Sequence, residues 1–514
     1  MASTPVGPDE LRGLVLGTLF PGFAGTDEPP QRLAELIEAG LGGVILFGRN
    51  VDPVRGDAGV TRLVSRLHAL RPDLIVGIDE EGGDVTRLDV NTGSAYPGSA
   101  ALGVIDDPAL THEVAASLAT RLRSCGFDLN FAPVADVDVD TRNPVVGVRS
   151  FGSDPQLVAR HVHAAVTGQQ VRGLAASVKH FPGHGATSED SHVTTPVVNA
   201  PRGLLERREL VPFRAALAAG VKVVMTAHIR VSALDPDNPA TMSRAVISGL
   251  LRDELGFDGV VMTDGLDMHA ISRTVGHAEG GVRALVAGVD ALCVGGDSTN
   301  PALVEEMAGA IVAAVQSGRL PYPRLVSAVE RVRALAKWRT LTVASDGDGA
   351  GDPAEVRAAR RALVVRGDVT LSAAPVVLEL QGEPSLAAGV VPWGMGAPLA
   401  ELLPGTAVVD VHQGGTPPHA LLAAYPGRPV VVSVRGIRRR PWQLDVVRAV
   451  RALRPDAVVV DHDLSDPAEL GEPYVLAHGA ARVTAEAVAE VLSSLAVGRT
   501  TAGRSASMHQ RGVR

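Results

Sequence analysis

The sequence predicts an α/β protein with an N-terminal (β/α)8 TIM-type barrel followed by a smaller α/β sandwich domain. Three observations predict it. Short apolar runs rich in β-branched residues alternate with segments of helical period from about residue 12 to 340. Eight such runs occur, which matches the strand count of a barrel. After a Gly-rich break the same alternation restarts on a smaller scale.

The strand candidates, in order, are Gly13–Leu19, Gly43–Phe47, Leu74–Ile78, Leu129–Val134, Ala176–His180, Val221–Ala227, Val260–Thr263 and Ala291–Val294. Helical period marks Gln31–Ala39, Pro155–Arg172, Leu204–Ala219 and Val282–Ala287 between them. The small, polar stretch Ala344–Asp352 reads as a linker. Beyond it, Val376–Leu380, Ala407–Val411, Pro429–Val434 and Ala457–Val460 read as strands, with Trp442–Leu453 helical. The expected organisation is a barrel at 1–340, a linker at 341–352, a C-terminal α/β domain at 353–498 and a disordered tail at 499–514.

Composition sets further bounds. Of 514 residues, 46% are apolar and 20% charged, which excludes a mainly disordered chain. No apolar run approaches the roughly 18 residues of a membrane span. The start, MASTPVGPDE, lacks a basic segment followed by an apolar one, so no secretory signal is expected. A net charge of −9 argues against a nucleic-acid partner. Cys125 and Cys293 sit among apolar residues and read as buried thiols. A cytoplasmic location is the resulting expectation. Only three of the 48 basic residues are lysines, namely Lys179, Lys222 and Lys337. That bias singles out Lys179.

In a parallel barrel, functional groups collect just past the carboxyl ends of the strands. After the third run come Asp79, Glu80 and Glu81, then Gly82-Gly83 and Arg87. These carboxylates either accept hydrogen bonds from substrate hydroxyls or pair with Arg87. After the fifth run comes Lys179-His180-Phe181-Pro182-Gly183-His184-Gly185, then Asp190-Ser191-His192. Asp190 and His192 have the spacing for a carboxylate to orient an imidazole, as a general acid/base requires. After the seventh run, Asp264 directly follows an apolar strand, where a carboxylate serves as a nucleophile or as a helix N-cap. Arg149 and His228 follow other runs and are either pocket residues or structural donors.

Together these motifs resemble glycoside hydrolase family 3, in its bacterial β-N-acetylglucosaminidase branch. The most specific match is the Lys179–Gly185 run with Asp190-Ser191-His192. Asp79–Gly83 with Arg87, Arg149-Ser150-Phe151 and Thr263–Met268 support it. The resemblance covers most of 12–340. It implies that Asp264 is the nucleophile and that Asp190 and His192 form the acid/base. It also implies that Asp79, Arg87, Arg149, Lys179 and His180 hold the sugar, and that neither metal nor organic cofactor is needed. The implied substrates are small carbohydrates, above all peptidoglycan fragments cleaved after N-acetylglucosamine. Gly265 stands where many members carry Ala or Asp.

Other readings remain. A neutral imidazole repels an anionic acceptor less than a carboxylate does, so phosphate in place of water would give a phosphorylase. A metal-dependent hydrolase would draw on His180, His184, His192, Asp190 and His228, but the chain lacks an H-x-H pair after its first strand and an H-E-x-x-H run. A β-glucosidase and a non-catalytic sugar-binding protein complete the set.

Overall fold

A computed structural model describes residues 6–191, 194–296, 299–341 and 352–493. Besides a short parallel pair, Val197–Val198 with Arg230–Val231, the N-terminal region carries eight parallel strands: β1 Leu19–Pro21, β2 Gly43–Leu46, β3 Ile75–Ile78, β4 Leu129–Asn130, β5 Ala175–Phe181, β6 Val223–Thr226, β7 Val260–Thr263 and β8 Leu292–Val294. Strands β2 to β7 form one curled sheet in chain order, and β1 pairs with β8. Single parallel bridges, Gly22 to Ile45 and Met262 to Ala291, link that pair to both edges of the curled sheet.

Alternation along each strand builds two layers of core. Val44 and Leu46 of β2 face outward against the helices, while Ile45 faces inward with Ile75, Leu129, Phe131, Val260 and Met262. The final helix of this region, Tyr322–Leu341, brings Val332, Leu335 and Ala336 to the inner cluster and so plugs the foot of the strands. There Lys222, just before β6, sets its ammonium 5.2 Å from the Trp338 ring centre.

Two expectations are corrected. Gly13–Leu19 is mostly helix: Pro8 opens a helix that runs to Leu16, with Leu11, Val15 and Leu16 buried, and the strand is confined to Leu19–Pro21. Leu204–Ala219 is broken into helices Arg202–Arg207 and Leu210–Ala218. Between them Glu209 is buried, paired with Arg208 and packed under Gly183.

The C-terminal region adds β9 Val364–Arg366, β10 Val376–Leu380, β11 Ala407–Val411, β12 Val430–Val434, β13 Val458–Asp461 and β14 Tyr474–Leu476. Their order is β9-β14-β13-β12-β10-β11, parallel except for the β9 edge. One sheet face packs on the helix Pro441–Leu453 through Val447 and Val450, and the other on Gly396–Leu402 and Arg482–Leu492 through Leu399, Val488 and Leu492. The expected linker lies, save for its edges, outside the described residues, as does the expected tail at 499–514. Among the described residues no helix is long and apolar enough to cross a membrane.

The two regions meet along the carboxyl ends of their strands. Asp84, from the loop after β3, accepts from Arg435 after β12 at 2.7 Å and from the Ala480 amide after β14 at 2.9 Å. Arg361 pairs with Asp107 at 2.8 Å further out.

Candidate active site

A cavity of about 450 Å³ opens at the carboxyl ends of β1 to β8. Asp79, Arg87, Arg149, Lys179, His180 and Asp264 all line it, so the strand ends bring together residues up to 185 positions apart. Among the expected site residues, Asp190 lines the crevice next door instead, and His192 falls outside the described residues.

The walls are held by interlocked charges. Lys179 Nζ lies 2.5 Å from Asp79 Oδ1 and 2.6 Å from Glu81 Oε1. Arg87 donates to the other oxygen of Asp79 at 3.0 Å. Arg149 grips Glu81 with two parallel bonds of 2.9 and 2.7 Å, the fork geometry that a guanidinium favours. Burial alone would neutralise Glu81, but Arg149 and Lys179 hold its carboxyl far below the usual range. Burial likewise opposes the Lys179 ammonium, and Asp79 and Glu81 overcome it, so that its pKa is raised. The lysine is therefore a fixed cation, and Asp79 keeps a partly exposed edge toward the cavity.

His180 is set from behind. Its Nδ1 lies 2.6 Å from Oδ2 of the fully buried Asp136, leaving Nε2 toward the cavity, 3.5 Å from Arg149 Nη2. The other Asp136 oxygen accepts the His184 amide at 2.7 Å. Burial opposes the charge on Asp136, while His180 and His184 hold its carboxyl below its ordinary value. The His184 ring is enclosed by Thr187 and Ser191, at 2.7 and 3.0 Å, and burial lowers its pKa to about 4, so it is neutral. Gly185 is required where it stands, since a Cβ there would meet the Val137 carbonyl oxygen at 1.9 Å. The base of the loop leading to 190 is thus anchored.

Asp264 follows β7, and its Oδ1 accepts the Gly265 amide at 2.8 Å. The Gly265 carbonyl accepts from buried His228 at 2.9 Å, whose other nitrogen meets Thr241. His228 therefore supports the Asp264 turn and does not line the cavity. Among the described residues no cluster of His, Cys, Asp and Glu has a metal-binding arrangement.

Three contributors lay beyond the sequence reading. Asp136 sits two residues past the fourth strand candidate, in Val134-Ala135-Asp136-Val137, and a carboxylate inside an apolar run was the available signal. Glu81 was visible as a loop carboxylate, but its double pairing was not. The third is distant: Leu386 to Val390, after β10, form part of the cavity wall. Arg87 binds that segment through the carbonyls of Ala387 and Ala388 at 2.8 and 3.0 Å.

Residues 24–335 match the glycosyl hydrolase family 3 N-terminal domain. The chain belongs to that family. This family 3 chain is 35% identical over 321 residues to a β-hexosaminidase of Nitrosomonas eutropha, an alignment spanning 60% of this chain and 90% of the relative. It is 40% identical over 302 residues to a β-hexosaminidase of Stenotrophomonas maltophilia, spanning 57% and 86%. The solved structure of a family 3 β-N-acetylglucosaminidase from Paenibacillus superposes with a TM-score of 0.83 at 34% identity, covering 94% of this chain and 96% of that one. The family 3 chain is a glycoside hydrolase.

Proposed function

We propose that the protein is an exo-acting, retaining β-N-acetylglucosaminidase that removes terminal N-acetylglucosamine from peptidoglycan fragments. The observation that carries this reading is Asp264 at a strand end, opening onto the same cavity as the Asp79–Lys179–Arg87 and Arg149–His180 groups. The names of the relatives support the choice of sugar.

In this reading residues 1–340 form a closed (β/α)8 barrel, 341–352 link it to an α/β sandwich at 353–498, and 499–514 are a tail. Lys179, Arg87 and Asp79 meet the sugar hydroxyls, and Arg149 with His180 lines the opposite wall. Asp264 attacks the anomeric carbon, and the bond to the leaving oxygen breaks as His192 donates its proton there. Water, deprotonated by His192, then releases the sugar from Asp264 with the anomeric configuration retained. Asp190 orients the imidazole once its loop brings both residues over the cavity. An imidazole titrating near about 6.5 serves in both steps. The enzyme acts without cofactor in the cytoplasm, on cell-wall fragments being recycled.

Turnover of an aryl β-N-acetylglucosaminide, with and without phosphate, tests the reading. Free N-acetylglucosamine in both buffers is expected. The sugar 1-phosphate, formed faster in phosphate, would make the enzyme a phosphorylase, and no turnover would overturn the reading.

A further inference from the structure

The C-terminal sheet has a topological switch of its own. From β10 the chain steps to β11 on one side, then crosses to β12, β13 and β14 on the other. In open parallel sheets, ligands settle in the crevice outside the carboxyl ends of the strands flanking such a switch. Here those strands are β10 and β12. The segments leaving them, Gly382–Leu386 and Arg435–Arg440, line a cleft of about 240 Å³.

This cleft adjoins the barrel cavity. Val145, Arg149 and Leu386 border both, so a molecule bound in the cavity by its terminal sugar extends into the cleft. The loop after β12 reads Gly436-Ile437-Arg438-Arg439-Arg440. Arg435 is committed to Asp84, and Arg149 to Glu81. Arg439 lies across the cleft, its side chain 31% exposed, held loosely by the Pro144 carbonyl at 3.2 Å and by Asp463 at 3.3 Å. Arg440 donates to two backbone carbonyls, those of Arg435 and Glu383, and its charge is offset only at longer range, by Asp463 and Glu383.

The backbone is cut to receive Arg440. A Cβ on Gly382 would stand 2.4 Å from its Nε, and one on Gly436 2.6 Å from its Nη1. Burial lowers the Arg440 pKa, with Arg439 and Arg435 adding to the effect and Asp463 and Glu383 opposing it. The acids lining the cleft are Asp84, already paired, exposed Glu383, and Asp190, which the acid/base reading moves to the barrel cavity; buried Asp463 behind them pairs with Arg439.

We infer that this switch-point cleft is a subsite for the leaving group, and that it selects leaving groups carrying a carboxylate, which Arg439 and Arg440 engage. A guanidinium is suited to that anion by its planar, two-pronged geometry. The inference rests on the glycosidase reading of the barrel cavity and adds to it a charge preference located in the other region.

The test uses the full chain and two disaccharides joined by the same linkage. In both, N-acetylglucosamine is β-linked; the leaving sugar is N-acetylmuramic acid in one and neutral N-acetylglucosamine in the other. Wild type is expected to favour the acidic one in kcat/KM by roughly tenfold, the worth of one charge-assisted hydrogen bond. Arg439→Gln should bring the ratio to about one by slowing only the acidic substrate, and Arg439→Lys should restore part of it. Equal kcat/KM in wild type, or a preference that survives Arg439→Gln, overturns the inference while leaving the glycosidase reading intact. Should neither disaccharide nor the aryl glycoside be cleaved, that reading fails by itself. The cleft is then judged by titrating Trp393 fluorescence with free N-acetylmuramic acid, Trp393→Phe serving as the blank. A signal lost in Arg439→Gln sustains the subsite, and no signal in wild type rejects it.

Discussion

Two parallel sheets turn their carboxyl ends to one seam and equip them differently. The ends of β3, β5 and β7 carry Asp79, Lys179 with His180, and Asp264 around one cavity. Lys179 is buried between Asp79 and Glu81, and Asp79 also meets Arg87, so the wall charges are interlocked beside the half-buried Asp264. The ends of β10, β12 and β13 carry Gln381, Arg435 and His462. Gln381 accepts from the Trp393 indole at 2.9 Å, and His462 is buried against Ser433 at 3.0 Å. No carboxylate of this second set faces the barrel cavity among the described residues. The contrast teaches that the same topology ends in different groups at the two sheets, and that only the first places a carboxylate onto a walled cavity where the proposed chemistry needs one.

Asp264→Asn breaks that contrast most severely. An amide has no charge with which to attack, so kcat on the aryl glycoside should fall by roughly four orders of magnitude or more. The thermal midpoint should move little, since the amide oxygen of Asn can still accept the Gly265 N–H that Asp264 Oδ1 accepts. Retention of wild-type turnover would place the chemistry elsewhere.

Lys179→Met probes the charge network rather than the reaction. It leaves Asp79 and Glu81 with Arg87 and Arg149 alone, and unbalancing a buried network costs about 3 kcal/mol. Urea unfolding should show this loss together with an unchanged m-value. An unshifted midpoint would mean that the network is dispensable to the fold.

The smallest effect lies in the other sheet. Burial, with Asp463 adding, pushes the Asp461 carboxyl up to about 7. A carboxyl that binds its proton more tightly when folded favours the native state below its unfolded pKa, and that contribution is lost as pH rises toward 7. Asp461→Asn removes the loss. The variant should therefore gain on wild type progressively as pH rises from about 4 to about 7 and level off above it. A difference that stays constant with pH would show that Asp461 ionises freely.

The sequence disclosed the architecture where signals were long and local. Runs such as Val260–Thr263 and Val376–Leu380 appear as strands with the expected bounds. Short elements escaped, since the three residues of Val364–Arg366 or Tyr474–Leu476 are too few to set a period. Gly13–Leu19 misled because its apolar side chains also fall on one face of the helix that Pro8 begins. Within the site, residues that end strands were legible from position alone. Asp136 was not, because its role depends on His180 reaching it from 44 positions away. Nor was the segment at 386–390, since nothing in Leu386 or Ala387 records that Arg87 reaches across to bind it.

The scarcity of lysine has a practical corollary. With Lys179 enclosed between two carboxylates, amine-directed reagents find only Lys222 and Lys337 among the side chains. Lys222 precedes β6 at the foot of the strands beside Trp338, the neighbour of Lys337 in the chain. Tethering through these amines would fasten the molecule by its base, with the cavity mouth turned toward solution.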